Sequence, residues 1–162
     1  MNADRLRRAL AGRPISRLDV SKLEAGYRVS PGALREAAVL VPVYFHADGA
    51  AHVLMTRRRN DLRLHPGQIS WPGGRIDPGD ADSLAAALRE AHEEIGLAPE
   101  IDEIFTVPVA RLRAPDAERQ HLRDVGGTRL PVEHFPVEGH IIWGATHRIT
   151  RTLLGVLAEG AP

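Results

Sequence analysis

Residues 82–97 read DSLAAALREAHEEIGL, and the rest of the chain is best understood from this stretch outward. Leu84, Leu88, Ala91 and Ile95 recur at helical spacing. Asp82 stands where an N-cap belongs and Gly96 where a helix stops, so the spacing predicts a helix over 82–95. Successive residues on such a helix are turned by about 100°. Glu90, Glu93 and Glu94 therefore share an arc of roughly 100°, turned away from the Leu84/Leu88/Ala91/Ile95 stripe that is expected to be buried. Three carboxylates so close together raise the cost of ionising all of them. A hard divalent cation removes that penalty, because Mg²⁺ prefers carboxylate oxygen. Glu90 and Glu94, at i and i+4, lie one turn apart and could share one ion. An isolated EHEE string is more often a solvated helix face, so the upstream sequence has to decide between the two readings.

That upstream sequence is rich in turns. Residues 57–79 read as loop, with Pro66, Gly67, Pro72, Gly73, Gly74, Pro78 and Gly79, and with a short strand over 68–71. Trp71-Pro-Gly-Gly74 is a stiff turn at a fixed distance before the helix, and glycines let backbone groups approach a metal or a phosphate closely. The turn and the acidic helix together point to a metal site far more strongly than either does alone.

Gly74, Asp80 and the run Arg89-Glu90-Ala-His-Glu93-Glu94-Ile-Gly96-Leu97 resemble the Nudix box, here spanning residues 74–97. The resemblance implies an α+β fold: an α/β/α sandwich around a mixed sheet, with the box as loop–helix–loop. It implies Mg²⁺ or Mn²⁺ as cofactor. By position, Glu90 and Glu94 are the implied metal ligands, Glu93 a third ligand or water activator, Arg89 the residue that orients a glutamate by ion pair, and Gly74 a carbonyl donor. Asp80 departs from the general box, which has Glu there, and one extra residue separates it from Arg89. Both features are usual in one branch of the family, the coenzyme A pyrophosphatases. The stretch 54–74, with Arg57, Leu62, Arg63, His65, Gly67 and Gln68, resembles that branch's upstream signature, as do residues 38–42 and 142–146. Trp71 stands where phenylalanine is commoner. Arg57, Arg63 and His65, just before the metal loop, are candidate cationic contacts to the 3′-phosphate or the diphosphate of a coenzyme A-like substrate. The implied products are 4′-phosphopantetheine, or its acyl form, and adenosine 3′,5′-bisphosphate. Two other readings are open: a Nudix enzyme acting on ADP-ribose, NADH or another dinucleotide, and a non-catalytic nucleotide-binding module.

Outside these motifs the signals are plainer. Leu6 and Leu10 suggest a short amphipathic helix ended by Gly12 and Pro14, and residues 15–32 an extended lead-in, so that 1–35 precede the domain proper. Residues 38–45 read as a buried strand, 46–49 as a turn and 52–56 as its hairpin partner. Residues 104–109 and 141–143 read as further strands, followed by a helix with Ile149, Leu153 and Val156 on one face. The other histidines, 46, 52, 121, 134, 140 and 147, show no ligand spacing.

The 162 residues suit one domain spanning 1–162. Lys+Arg and Asp+Glu are both 21, which argues against bulk electrostatic binding to nucleic acid or to an anionic membrane. No cysteine is present, which removes thiolate chemistry and fits a reducing cytoplasm. The longest apolar run, 37–45, is far short of a membrane span. One feature strains the resemblance. Gly96-Leu-Ala-Pro-Glu100 runs almost at once into residues 101–108, which resemble a segment normally found several dozen residues downstream. A stretch omitted from the numbering is the favoured explanation, and it predicts one Cα–Cα step between Leu97 and Asp102 much longer than the usual distance of about 3.8 Å. With an unbroken chain, a homodimer contact or the 111–138 segment would have to cover the open sheet edge.

Overall fold

Pro42 divides the apolar run at 38–45 into two strands with different partners. In the computed structural model, which describes residues 3–11, 35–96, 98–125 and 127–159, β1 (Ala37–Val39) pairs with β5 (Gly73–Arg75). Beyond the proline, β2 (Val43–Phe45) pairs with β3 (Ala51–Arg58). Proline brings no N–H to a ladder, so one strand cannot run through it unbroken. The single buried strand expected here is therefore two short ones, and only Ala38 among their residues is fully buried.

The β2–β3 hairpin turns where expected. Gly49, at φ +81°, donates its N–H to His46 O at 2.8 Å, and His46 N–H donates to Ala50 O at 2.9 Å. β3 is the centre of its sheet: β2 and β4 (Ile69–Ser70) flank one side and β6 (Ile101–Pro108) runs along the other. Val53 and Met55 of β3 are completely buried. A third sheet, of which only the last strand was expected, is formed by β7 (Arg119–Val125), β8 (Thr128–Val137) and β9 (His140–Trp143). β8 carries Pro131 and Pro136, yet it is the middle strand. It pairs with β7 over 128–134 and with β9 over 134–137, so each proline lies where β8 has a single neighbour and an N–H can be spared.

The class is α+β. Where one mixed sheet was expected, the ladders among the described residues are all antiparallel and fall in three sheets. Short turns join β2 to β3, β7 to β8 and β8 to β9, and such turns permit only antiparallel pairing. α1 (Ala3–Leu10) packs on α4 (Gly144–Glu159), which itself lies on β8 and β9. The main core forms where these elements meet β3 and β6, around Met55, Trp71, Val107, Phe135, Ile142, Leu153 and Leu157. Ile149 packs against it as the helical spacing implied. Gly12, Pro14 and the lead-in at 15–32 lie outside the described residues. No helix of the described residues is long and apolar enough to cross a membrane.

The step from the box to β6 is short. Ile101 N–H donates to Ala98 O at 2.9 Å, so the chain turns tightly from Ala98 into β6. Leu97 itself lies outside the described residues. β6 occupies the second edge of β3 that a missing strand would otherwise leave open.

Candidate functional site

The acidic helix is α2 (Ser83–Ile95). Asp82 caps it by accepting from Ala85 N–H at 2.8 Å, and Gly96 closes it with its N–H on His92 O at 3.0 Å. Losing such a cap costs about 0.5–2 kcal/mol. Asp82→Ala should lower stability by that amount in a denaturant titration.

The buried face of α2 is not the expected leucine stripe. Ala86, Ala87, Ala91 and Glu94 are buried, whereas Leu84, Leu88 and Ile95 are 53%, 50% and 39% exposed. The surface beneath explains it. α2 lies on β1 and β5, built from Ala37, Ala38, Gly73 and Gly74, and so low a relief lets the helix approach closely only through its alanines. Glu90 and Glu94 consequently meet the glycine strand at the seam, while Glu93 stays exposed.

Each box carboxylate has its own support. A Cβ on Gly74 would collide with the Glu90 carboxylate, so only glycine leaves that carboxylate its place over β5. Gly73, at φ +155°, would collide through its own Cβ with Ala38 O and Val39, and its N–H donates to Glu94 Oε2 at 3.2 Å. Arg89 ties the cluster together. Its Nε and Nη2 donate to the two oxygens of Asp80 at 3.0 Å each, Nη1 donates to Glu90 Oε1 at 3.0 Å, and Nη2 also reaches Arg75 O at 3.0 Å. The expected pairing of Arg89 with a glutamate is thus present, and its second partner is Asp80. Glu93, 55% exposed, lies 3.5 Å from Arg89 Nη1. The Arg89 guanidinium holds Asp80 below the usual carboxylate range, helped by Asp77 N–H, while Asp80 and then Glu90 raise Arg89 still further. Burial pushes Glu94 up, against the pull of Gly73 N–H and Arg58, and the Glu90 and Glu100 charges add to the rise.

This donor set suits a hard divalent cation. Glu94 is a buried carboxylate whose charge burial disfavours, and a cation beside it would reverse that. Glu90 lies over Gly74 and Glu94 accepts from Gly73 N–H, and Gly74 sits in the β5 ladder opposite Ala38.

The predicted substrate residues are not equivalent. Arg57 is already engaged, with Nη2 2.6 Å from Asp102 Oδ2 and Nε donating to Glu103 Oε2 at 2.8 Å. Arg63 is exposed and has no ion pair among the described residues. His65, at φ +56°, is exposed, with Nδ1 3.0 Å from Gln68 Oε1. Sequence reasoning passed over Arg58, which acts electrostatically on Glu94 and whose buried Nε has no hydrogen-bond partner. It also passed over a second group of possible ligands. Glu118, Glu133 and His147 place donor atoms within 4.8 Å of one another, with His147 Nε2 2.6 Å from Glu118 Oε1. Arg151 Nη1 lies 3.5 Å from Glu118 and 3.4 Å from Glu133, so a guanidinium already supplies positive charge to that group.

The chain has relatives among known proteins. A model of the NUDIX domain matches residues 34–137. An uncharacterized Nudix hydrolase NudL of Enterobacter sp. (strain 638) is 48% identical over 73 residues, which cover 45% of this chain and 37% of that protein. The NudL of Cronobacter sakazakii is 48% identical over 75 residues, covering 46% and 38%. The matched region thus spans little more than a third of the length of these relatives. Among solved structures, the Nudix hydrolase RenU of M. smegmatis superposes with a TM-score of 0.41 at 19% identity, covering 77% of this chain and 87% of that one, a likeness too loose to bear on substrate.

Proposed function

Because the NUDIX model spans well over half of its residues, this chain belongs to the NUDIX family, and on that premise we propose that it hydrolyses the pyrophosphate bond of coenzyme A or a close derivative, with Mg²⁺ or Mn²⁺ bound by the box. The observation that carries the reading is the Arg89-braced Glu90 over Gly74, beside a buried Glu94 fixed by Gly73 N–H. Glu90 and Glu94 are the residues to hold the ion, with Glu93 and the Gly74 carbonyl as further donors. A divalent ion bound there supplies charge neutralisation at the diphosphate oxygens and acidifies the attacking water.

The chain's own groups do the rest. Arg89 fixes the Glu90 carboxylate through a guanidinium that Asp80 grips with both oxygens, so the ligand does not have to be ordered in each turnover. Glu93 is the most exposed carboxylate of the three and can hold the proton given up by water. Arg58, with a buried donor lacking a partner next to Glu94, is suited to an oxygen of the diphosphate, since an unmade buried hydrogen bond is costly until a ligand makes it. Arg63 and His65 are the solvent-facing contacts proposed for the remaining phosphate. Arg57 contributes less, because Asp102 and Glu103 already balance its charge.

The substrate half of the proposal rests on the upstream signature at 54–74, and a substrate panel tests it. With Mg²⁺ and with Mn²⁺, coenzyme A should be cleaved to 4′-phosphopantetheine and adenosine 3′,5′-bisphosphate. 3′-Dephospho-coenzyme A should show a kcat/KM about tenfold lower, the value of one charge-assisted phosphate contact. Faster cleavage of ADP-ribose than of coenzyme A would move the chain to the dinucleotide-hydrolysing branch, and no cleavage of any member would leave a binding module.

A further inference from the structure

A cavity of about 400 Å³ opens between β3–β4 and the β7–β9 sheet, apart from the box carboxylates. Its lining includes Arg57, Gln68, Ile69, Arg123, His140 and Trp143, and no carboxylate. Arg57 is balanced from outside the cavity by Asp102 and Glu103. Arg123 has no carboxylate partner among the described residues; its guanidinium carbon instead lies 3.7 Å from the centroid of the Trp143 ring. A guanidinium flattened on an indole keeps its in-plane N–H donors free while its orientation is held, which suits bidentate capture of a phosphate.

The wall that carries this pair is well anchored. Trp143 ends β9, and three residues on, Thr146 donates its hydroxyl to Ile69 O at 2.9 Å and accepts at its carbonyl from Trp71 Nε1 at 3.4 Å. His140, at the start of β9, stacks on Phe105 at 4.3 Å between ring centroids. The Ile142-Trp143-Gly144-Ala-Thr146 run, for which the box chemistry has no use, thereby fixes one side of the cavity to β4. The volume falls in the range of small-ligand sites, and the mixture of apolar wall, aromatic ring and unbalanced cation is what such sites contain.

We propose that this cavity binds a phosphate monoester carried on a planar ring, such as a nucleoside phosphate, with Arg123 as the anion ligand and the Arg123–Trp143 stack as its platform. The inference rests in part on the proposed function, because Arg57, Gly67 and Gln68 of the lining belong to the 54–74 stretch proposed to recognise substrate, and binding is therefore tested without turnover, in EDTA. Adenosine 3′,5′-bisphosphate, adenosine and inorganic phosphate are titrated into the whole protein by calorimetry, with tryptophan fluorescence followed in parallel. Trp71 is buried, so a ligand-dependent signal that Trp143→Phe abolishes reports this cavity. The bisphosphate should bind more tightly than adenosine or inorganic phosphate, and Arg123→Ala should weaken it at least tenfold, with Arg123→Lys between the two. Unchanged affinity in Arg123→Ala and Arg123→Lys, or adenosine binding as tightly as the bisphosphate, overturns the phosphate contact. Inorganic phosphate binding as tightly as the nucleotide overturns the planar platform. Failure to cleave coenzyme A, with Arg123-dependent binding intact, would defeat the proposed function and leave this site standing.

Discussion

Glu90→Gln and Glu94→Gln should each lower metal-dependent turnover at least about 100-fold while the protein stays folded. The amide keeps the size of the carboxylate and its carbonyl can still accept, from Arg89 Nη1 in one case and Gly73 N–H in the other, so the supports of both side chains survive. What is lost is the charge that a divalent ion needs. The two variants should differ in stability without metal. Burial raises Glu94, so the folded state holds its proton more tightly than the unfolded chain does. Between the ordinary glutamate range and the raised value, stability of the metal-free protein falls as pH rises. Glu94→Gln removes that slope, and a bound divalent ion should remove it too. Near wild-type rates in both variants, with circular dichroism unchanged, would remove the metal assignment from the box.

How far the sequence carried this picture depended on whether the deciding interaction is local. The ends of α2 were legible because Asp82 and Gly96 act within one turn of themselves. Its buried face was not, because the stripe rule assumes that large apolar residues find a partner surface, and the glycine–alanine strands below α2 accept only alanines. The β7–β8 hairpin was hidden for a related reason. Arg119–Val125 has little apolar pattern, and the prolines of β8 argue against a middle strand until the staggered ladders are known. At the site, Arg57 looked available because its partners, Asp102 and Glu103, are some 45 residues away. Arg58 went unnoticed because an orphaned buried donor is a property of tertiary packing alone. The Arg89–Glu90 contact was legible from the box, but the grip of Asp80 on Arg89 spans a loop whose course only the fold defines.

That grip leads to the second large effect. Arg89 makes four hydrogen bonds with three partners: both Asp80 oxygens, Glu90 and the Arg75 carbonyl. Lysine keeps the charge and loses the planar fork, so Arg89→Lys cannot hold Asp80 bidentately and brace Glu90 at once. The rate should fall on the order of 10- to 100-fold with modest change in KM, because the residue orders a ligand and does not bind substrate. Asp80→Asn should reproduce part of the loss, since the amide oxygen can accept from one of the two Arg89 donors but brings neither the second acceptor nor the charge. The pH dependence of stability provides a separate readout. Asp80 is depressed in the folded state, chiefly by Arg89, so its contribution is fully present above the ordinary aspartate range and is lost as pH falls through the depressed value. Wild-type protein should therefore lose stability in acid over a window that Asp80→Asn lacks and Arg89→Lys narrows. A large rise in KM at unchanged kcat in Arg89→Lys would make Arg89 a substrate contact instead, and an identical acid profile in wild type and Asp80→Asn would mean that the ion pair does not hold the loop to the helix.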